Sequence, residues 1–285
     1  MSTVLDSNEF EMFRNYIETN SGIHLDQSKG YLIQNRLECL MKEMGCDSFS
    51  CLYLKASSDP TKKIQERIID AMTTNETLWF RDSSPFSVLQ NKLLPQLADM
   101  IQQKKKEKIR IWSAACSTGQ EPYSIAIAFQ ELLRGRKDIS LQNLEIIATD
   151  ISSTVLEQAK KGTYDSFAIS RGLTEEIKGR YFTTNGKTWT IKDEIKKMVL
   201  FKKLNLQYDF RQLGPMDIVF CRNVLIYFSD VLKREILSRI AQMLQSSGVL
   251  FVGASESVSN YNSDFEMISS ERTIYYQVKR KTRAA

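Results

Sequence analysis

Histidine is almost missing from this chain: His24 is the only one in 285 residues. That argues against mechanisms built on a Ser-His-Asp or Cys-His pair. Cysteine is scarce as well. Cys39, Cys46, Cys51, Cys116 and Cys221 form an odd set without C-x-x-C spacing, and only His24 could join them at a metal. No metal site is therefore expected, and the thiols read as reduced, cytosolic cysteines. No apolar run nears the roughly twenty residues that span a bilayer. The opening MSTVLDSNEF lacks the basic-then-apolar layout of a secretory signal, so a cytoplasmic protein without membrane insertion is expected. A strong charge bias is missing too, since the net charge is only +5. Up to Ala71 there are eight lysines and arginines against eleven carboxylates, a balance of −3 that leaves +8 for the rest. The KKKEK run at 104–108 reads as a solvated helix end or loop, and basic residues are not interleaved with aromatics as single-strand binding favours. Nucleic acid is not an expected partner.

What is present is ordinary for a soluble globular protein, with 42% hydrophobic and 26% charged residues and length for one large domain plus a small one. The organising stretch is IRIWSAACSTGQEPYSIAIA, residues 109–128. A short apolar strand leads into small residues that let the backbone turn tightly near a ligand. Glu121-Pro122 then opens an apolar helix, with proline where its missing N–H costs nothing. Strand, turn and helix N-terminus resemble the start of a nucleotide-binding α/β unit. The glycine signal is thin, with only Gly119 in the turn and no G-x-G-x-x-G. A second apolar strand, LEIIATD, ends in Asp150, an acid suited to paired ribose hydroxyls.

The first seventy residues read as four helices in an antiparallel bundle: one capped by Ser7 and ending near Gly22, one from Ser28 to Gly45, one over 49–56, and one after Pro60. Lys29, Arg36 and Lys42 on the second do not share one face, which fits a solvated surface. AMTTNETLWFRD follows, dense in hydrogen-bonding side chains and then abruptly aromatic and cationic, as in a loop folded over something. A helix over 83–100 leads to the first strand. Beyond Asp150 come a helix over 152–161, then an antiparallel excursion over about 163–200 with an Asn185-Gly186 hairpin signal. Strands follow at 199–203, MDIVFC and GVLFVGASES, with a helix over 230–244 and a last antiparallel pair in FEMISSERTIYYQVK. The alternation predicts an α/β fold: a doubly wound sheet with an antiparallel edge hairpin, a small inserted antiparallel β-subdomain and an N-terminal all-α bundle. The expected divisions are a helical domain at 1–71, a linker loop at 72–84 and a catalytic domain at 85–285.

The motifs TTNETLWFRD, RIWSAACSTGQEPYSIAI, ATDIS with VLEQAKKGTY, VFCRNVLIYF and GVLFVGASES, in this order across nearly the whole chain, resemble the CheR family of chemotaxis receptor glutamate methyltransferases. The resemblance implies the Rossmann-like methyltransferase sheet, S-adenosylmethionine as methyl donor and S-adenosylhomocysteine as product. It implies a monomeric cytoplasmic enzyme recruited to chemoreceptor arrays, a protein-glutamate O-methyltransferase acting on the cytoplasmic methylation helices of transmembrane chemoreceptors. On the matching positions, Asp150 would hold the ribose and Glu121 would face the methionine end. Asn75, Thr77 and Arg81 would meet the cofactor from the loop, with Asn205, Leu206, Arg222 and Asn223 closing the adenine and methionine sides. Arg81 and Tyr227 would orient the acceptor carboxylate, and Arg36 in IQNRL would read the receptor. Two departures stand out. Trp79-Phe80 replaces a frequent pair of phenylalanines, and the hairpin at Asn185-Gly186 is shorter than in members that capture a receptor's C-terminal peptide, which implies independence of such a tether.

Two alternatives bear on the same residues. N-V-L-I-Y is distantly like the N-P-P-Y site of amino methyltransferases but lacks both prolines, and nothing else resembles a base-flipping channel. A non-catalytic S-adenosylmethionine-binding signalling adaptor is expected to lack the loop arginine or the site tyrosine, yet Arg81 and Tyr227 are both present.

Overall fold

In the computed structural model, which describes residues 4–270 and 273–279, the chain opens with four helices: α1 (Ser7–Ser21), α2 (Gly30–Glu43), α3 (Phe49–Ser58) and α4 (Lys63–Met72). The cap of α1 is Asp6 rather than Ser7. Its carboxylate accepts the Glu9 N–H at 2.8 Å while the Glu9 carboxylate accepts the Asp6 N–H at 3.3 Å. Two charged acceptors suit the positive end of a helix better than one hydroxyl. Phe13, Ile17, Ile33, Leu37, Met41, Phe49, Leu52 and Ile68 recur at helical spacing and close a core of their own, none of them exposed. Each such burial is worth about 1.5–3 kcal/mol, which outweighs the weak propensities of helices this short.

After a strap of irregular chain, α5 (Ser84–Val88) passes through one widened π turn, Leu89–Leu93, into α6 (Leu94–Gln102). The widened turn precedes Pro95, which has no N–H for the turn before it. The βα rhythm then begins with β1 (Ile109–Ala114), α7 (Gln120–Gly135), β2 (Leu144–Asp150) and α8 (Ser153–Lys161). An excursion follows: β3 (Thr163–Asp165), α9 (Ser166–Ser170), α10 (Glu175–Tyr181), β4 (Phe182–Thr184), β5 (Thr188–Ile191) and α11 (Asp193–Lys196). The chain returns through β6 (Val199–Lys203), β7 (Met216–Cys221), α12 (Asp230–Met243), β8 (Leu244–Phe251), β9 (Phe265–Ser270) and β10 (Thr273–Val278).

Seven strands form the main sheet in the order β6-β2-β1-β7-β8-β10-β9. β6, β2, β1, β7 and β8 pair in parallel, and β10 is antiparallel to both β8 and β9. The closing hairpin thus lies at the edge with its second strand on the inside; residues 1–3, 271–272 and 280–285 lie outside the described residues. Every residue of β7 is buried, as expected for a parallel strand covered on both faces. The excursion makes a separate antiparallel sheet, β3-β5-β4, whose hairpin turns on Asn185, the side chain of which accepts the Lys187 and Thr188 N–H groups. No described helix is long and apolar enough to cross a membrane. The strand order reverses at β1, between β2 and β7, and the crevice beyond the C-terminal ends of these strands is where such sheets bind ligands.

Candidate active site

Beyond β1 the chain turns through Ala115 (φ 55°) and Ser117 (φ 50°) to Gly119 (φ 94°), the cap of α7. Only glycine takes the last of these without strain, and a Cβ there would also lie 3.0 Å from the Ala159 Cβ. Asp150, at the end of β2, ties this turn down. Its Oδ2 accepts the Ser117 N–H at 2.9 Å and its Oδ1 the Ser152 N–H at 3.0 Å. Burial pushes the Asp150 carboxyl above the usual aspartate range, against the opposing pull of those N–H bonds. Burial, with Asp150 and Glu121 nearby, also pushes the Cys116 thiol well up, so this cysteine is no nucleophile.

Glu121 sits in the first turn of α7, where the helix dipole favours an acid. It accepts the Ser113 hydroxyl at 2.8 Å and Arg222 Nη1 at 3.0 Å. Arg222, just past β7, has a side chain only 2% exposed, and its Nη2 donates to the Arg81 carbonyl at 2.9 Å and to Asp82 at 2.6 Å. One buried guanidinium therefore joins the strap to the helix N-terminus. A charge this deep requires such partners.

The strap itself is anchored from below. Trp79 is buried edge-on against Tyr164 (4.9 Å) and Phe182 (5.1 Å), so the excursion grips it, and the Phe80 N–H donates to the Ser124 hydroxyl at 3.1 Å. The aromatic pair points into the core, which leaves Asn75 and Thr77 for the cavity.

The helical module supplies the opposite wall. Ile23 makes a β-bridge with Phe228, and the His24 N–H donates to the Tyr227 carbonyl at 2.8 Å. Asn205 donates to the Asn20 carbonyl at 3.1 Å. Between these walls lies a cavity of about 960 Å³, counting its open mouth. Asn75, Thr77, Arg81, Glu121, Asp150, Asn205, Leu206, Arg222, Asn223 and Tyr227 all line it. These were the positions singled out from sequence, apart from Arg36.

Arg36, expected from the resemblance to read the receptor, does not line the cavity. Its Nη1 donates to the carbonyls of Met72 (2.7 Å) and Thr73 (3.2 Å), and its Nη2 to the Thr74 hydroxyl at 3.0 Å. It closes the C-terminal end of α4 and fixes the start of the strap, a position a cation favours. Ser21 and Ile23 also line the cavity, although nothing in their sequence context marks them, because the contact depends on how the bundle docks. Ser117 and Asp82 belong to motifs that do stand out, and their pairing with Asp150 and Arg222 appears only in three dimensions.

The family described as CheR methyltransferase, SAM binding domain, matches residues 75–274, and its all-alpha domain matches residues 8–73. The chain belongs to the CheR methyltransferase family. The chemotaxis protein methyltransferase Cher2 of Pseudomonas putida is 44% identical over 95% of this chain and 98% of its own length. Chemotaxis protein methyltransferases from Pseudomonas aeruginosa (43% identity, 95% and 98% covered) and Vibrio parahaemolyticus (41%, 96% and 98%) are similar over the same extent.

S-adenosylmethionine is the CheR cofactor, and the residues here fit it. Each Asp150 oxygen accepts one backbone N–H and keeps a lone pair for a ribose hydroxyl. Asn223, a cavity residue, has a buried side-chain oxygen with no partner among the described residues, an acceptor suited to a ligand donor. Glu121, another acid lining the cavity, would suit a cationic donor of the ligand. Among the described residues no group of three or more His, Cys, Asp or Glu could hold a metal ion.

Proposed function

We propose that this CheR protein methylates glutamate side chains on the cytoplasmic helices of chemoreceptors, giving glutamyl methyl esters. The observation that carries the reading is the single cavity into which the strap, the strand ends and the helical module all project. S-adenosylmethionine, when bound, supplies the electrophilic methyl group. A glutamate acceptor, with an ordinary pKa near 4.3, is already ionised at neutral pH, so no general base is required. What the chain must do is align the carboxylate and keep water away, and alignment of this kind can be worth about 7–11 kcal/mol. Arg81 and Tyr227 suit that task. The Arg81 guanidinium uses one N–H on the Glu76 carbonyl at 3.1 Å and keeps the rest of its fork for a carboxylate. The Tyr227 hydroxyl has no hydrogen-bond partner among the described residues, which leaves it for an acceptor oxygen.

The module at 1–71 is assigned to recognition of the methylation helix, with Asp150, Glu121 and the strap residues Asn75 and Thr77 assigned to the cofactor. The short hairpin between β4 and β5 supports direct recognition without a C-terminal receptor tether. A cytoplasmic monomer acting at receptor arrays accords with this assignment. The test is transfer of radiolabelled methyl groups from S-adenosylmethionine into chemoreceptor-containing membranes. Label released by mild base, as from an ester, is the expected result. Base-stable label or none would overturn the reading, and loss of labelling on removing a receptor's extreme C-terminus would overturn tether independence alone.

A further inference from the structure

We propose that Glu256 is the positioning residue for Tyr227: its carboxylate shapes the turn that carries the tyrosine into the cavity. The role of Tyr227 in this inference rests on the methyltransferase reading above. After β8 the chain turns through Gly253 to Glu256, whose N–H donates back to the Gly253 carbonyl at 2.9 Å. Glu256 then reaches across to the segment after β7. Its Oε2 accepts the N–H groups of Asn223 at 2.7 Å and Gly253 at 2.6 Å, and its Oε1 accepts the Ile226 N–H at 3.2 Å. Two of the three donors belong to the turn that ends in Tyr227.

Within that turn the Tyr227 and Phe228 N–H groups donate to the Val224 and Leu225 carbonyls at 3.1 and 3.0 Å, and Glu256 adds the acceptor for the Asn223 and Ile226 N–H groups. Asn223 is left-handed at φ 58°, a conformation that non-glycine residues keep only when their surroundings enforce it. The following 3-10 turn, Leu225–Tyr227, has no side-chain cap of its own, since Val224 offers none. Glu256 supplies from another element the acceptor that a capping residue would normally supply. Beyond the tyrosine, the Tyr227 carbonyl is held by the His24 N–H, so Glu256 fixes one side of the turn and the helical module the other. Gly253 permits the close approach: a Cβ there would fall 2.5 Å from Asn223 Nδ2 and 2.8 Å from Glu256 Oε2.

A carboxylate is the side chain this geometry calls for. It accepts on both oxygens, whereas the Gln amide has one acceptor and would turn N–H against at least one of the three donors. Glu256 does not line the cofactor cavity, so it acts through the turn and not on the reacting groups.

The experiment is a double-mutant cycle in the full chain. Glu256→Gln should lower kcat for receptor methylation about tenfold, which corresponds to about 1.4 kcal/mol. In a Tyr227→Phe background the same substitution should cost less than about twofold, because the group it positions has already gone. Equal losses in the two backgrounds, or an unchanged kcat in Glu256→Gln, would overturn the proposal. If Glu256→Gln does not fold, Glu256→Asp, which keeps the charge on a shorter arm, replaces it. The second readout needs no activity: fluorotyrosine at position 227 should give a fluorine resonance that moves in Glu256→Asp. An unmoved resonance would overturn the positioning role. Wild-type chain that transfers no methyl group, with the resonance still moved in Glu256→Asp, would overturn only the methyltransferase reading.

Discussion

The sheet side and the helical side of the cavity hold their polar groups by different means. On the sheet side, acids sit at strand and helix ends and are satisfied from within the sheet domain itself: Asp150 by the Ser117 and Ser152 N–H groups, Glu121 by Ser113 and Arg222. On the helical side the ties end on backbone groups and join the bundle to the strap and to the sheet domain. Arg36 reaches Met72, Asn205 reaches Asn20, and Ile23 pairs with Phe228. The first wall is a property of the βα unit. The second exists only when the bundle is docked, so the same cavity has a side built by the sheet domain and a side that reports on the module.

Substitutions on the two sides should therefore behave differently. The largest effect belongs to Arg222→Ala, which leaves Glu121 without its partner and frees the strap. Breaking a buried pair of this kind costs about 3–5 kcal/mol, measurable by urea unfolding. Asp150→Ala should weaken S-adenosylhomocysteine binding by about 1–3 kcal/mol in a calorimetric titration while the fold survives. Tyr227→Phe should lower the methyl-transfer rate by about 2 kcal/mol, the worth of a hydrogen bond to a charged group, and leave that affinity unchanged; equal rates would remove the tyrosine from the chemistry.

The smallest effect is a pH signature of Asp150. Its folded pKa is raised by burial, so the native state binds the proton more tightly than the unfolded chain, and stability falls as pH rises through the interval between the two values. Asp150→Asn lacks that loss. Its stability relative to wild type should increase as pH rises through the range just above the ordinary aspartate pKa, read from urea midpoints. A constant difference would mean that the buried carboxylate is not penalised.

The contrast between the walls also marks what could be read from sequence. The sheet side was legible because strand, tight turn and helix N-terminus are local patterns, and because Asp150 and Glu121 lie within them. The doubly wound sheet with an antiparallel edge hairpin followed from the strand–helix alternation. The helical side was legible as four helices but not as a wall, since Ser21 and Ile23 carry no chemical signal. Arg36 was given a recognition role by the resemblance of IQNRL to a receptor-reading helix, and its hold on the Met72 and Thr73 carbonyls appears only in three dimensions. Trp79 and Phe80 marked an unusual loop, but only the packing of Tyr164 and Phe182 turns them inward. Ser7 lost the α1 cap to Asp6 by one residue, a choice that rests on Glu9 closing the box.

The central claim is that the helical module completes the cofactor site through its hold on the strap. Titration of S-adenosylhomocysteine into Arg36→Ala tests it most directly. Affinity weakened about tenfold, or about 1.4 kcal/mol, is the predicted result, since the Met72, Thr73 and Thr74 ties to the strap are lost. Unchanged affinity together with a raised KM for receptor would contradict it, and would return Arg36 to the reading of the receptor helix.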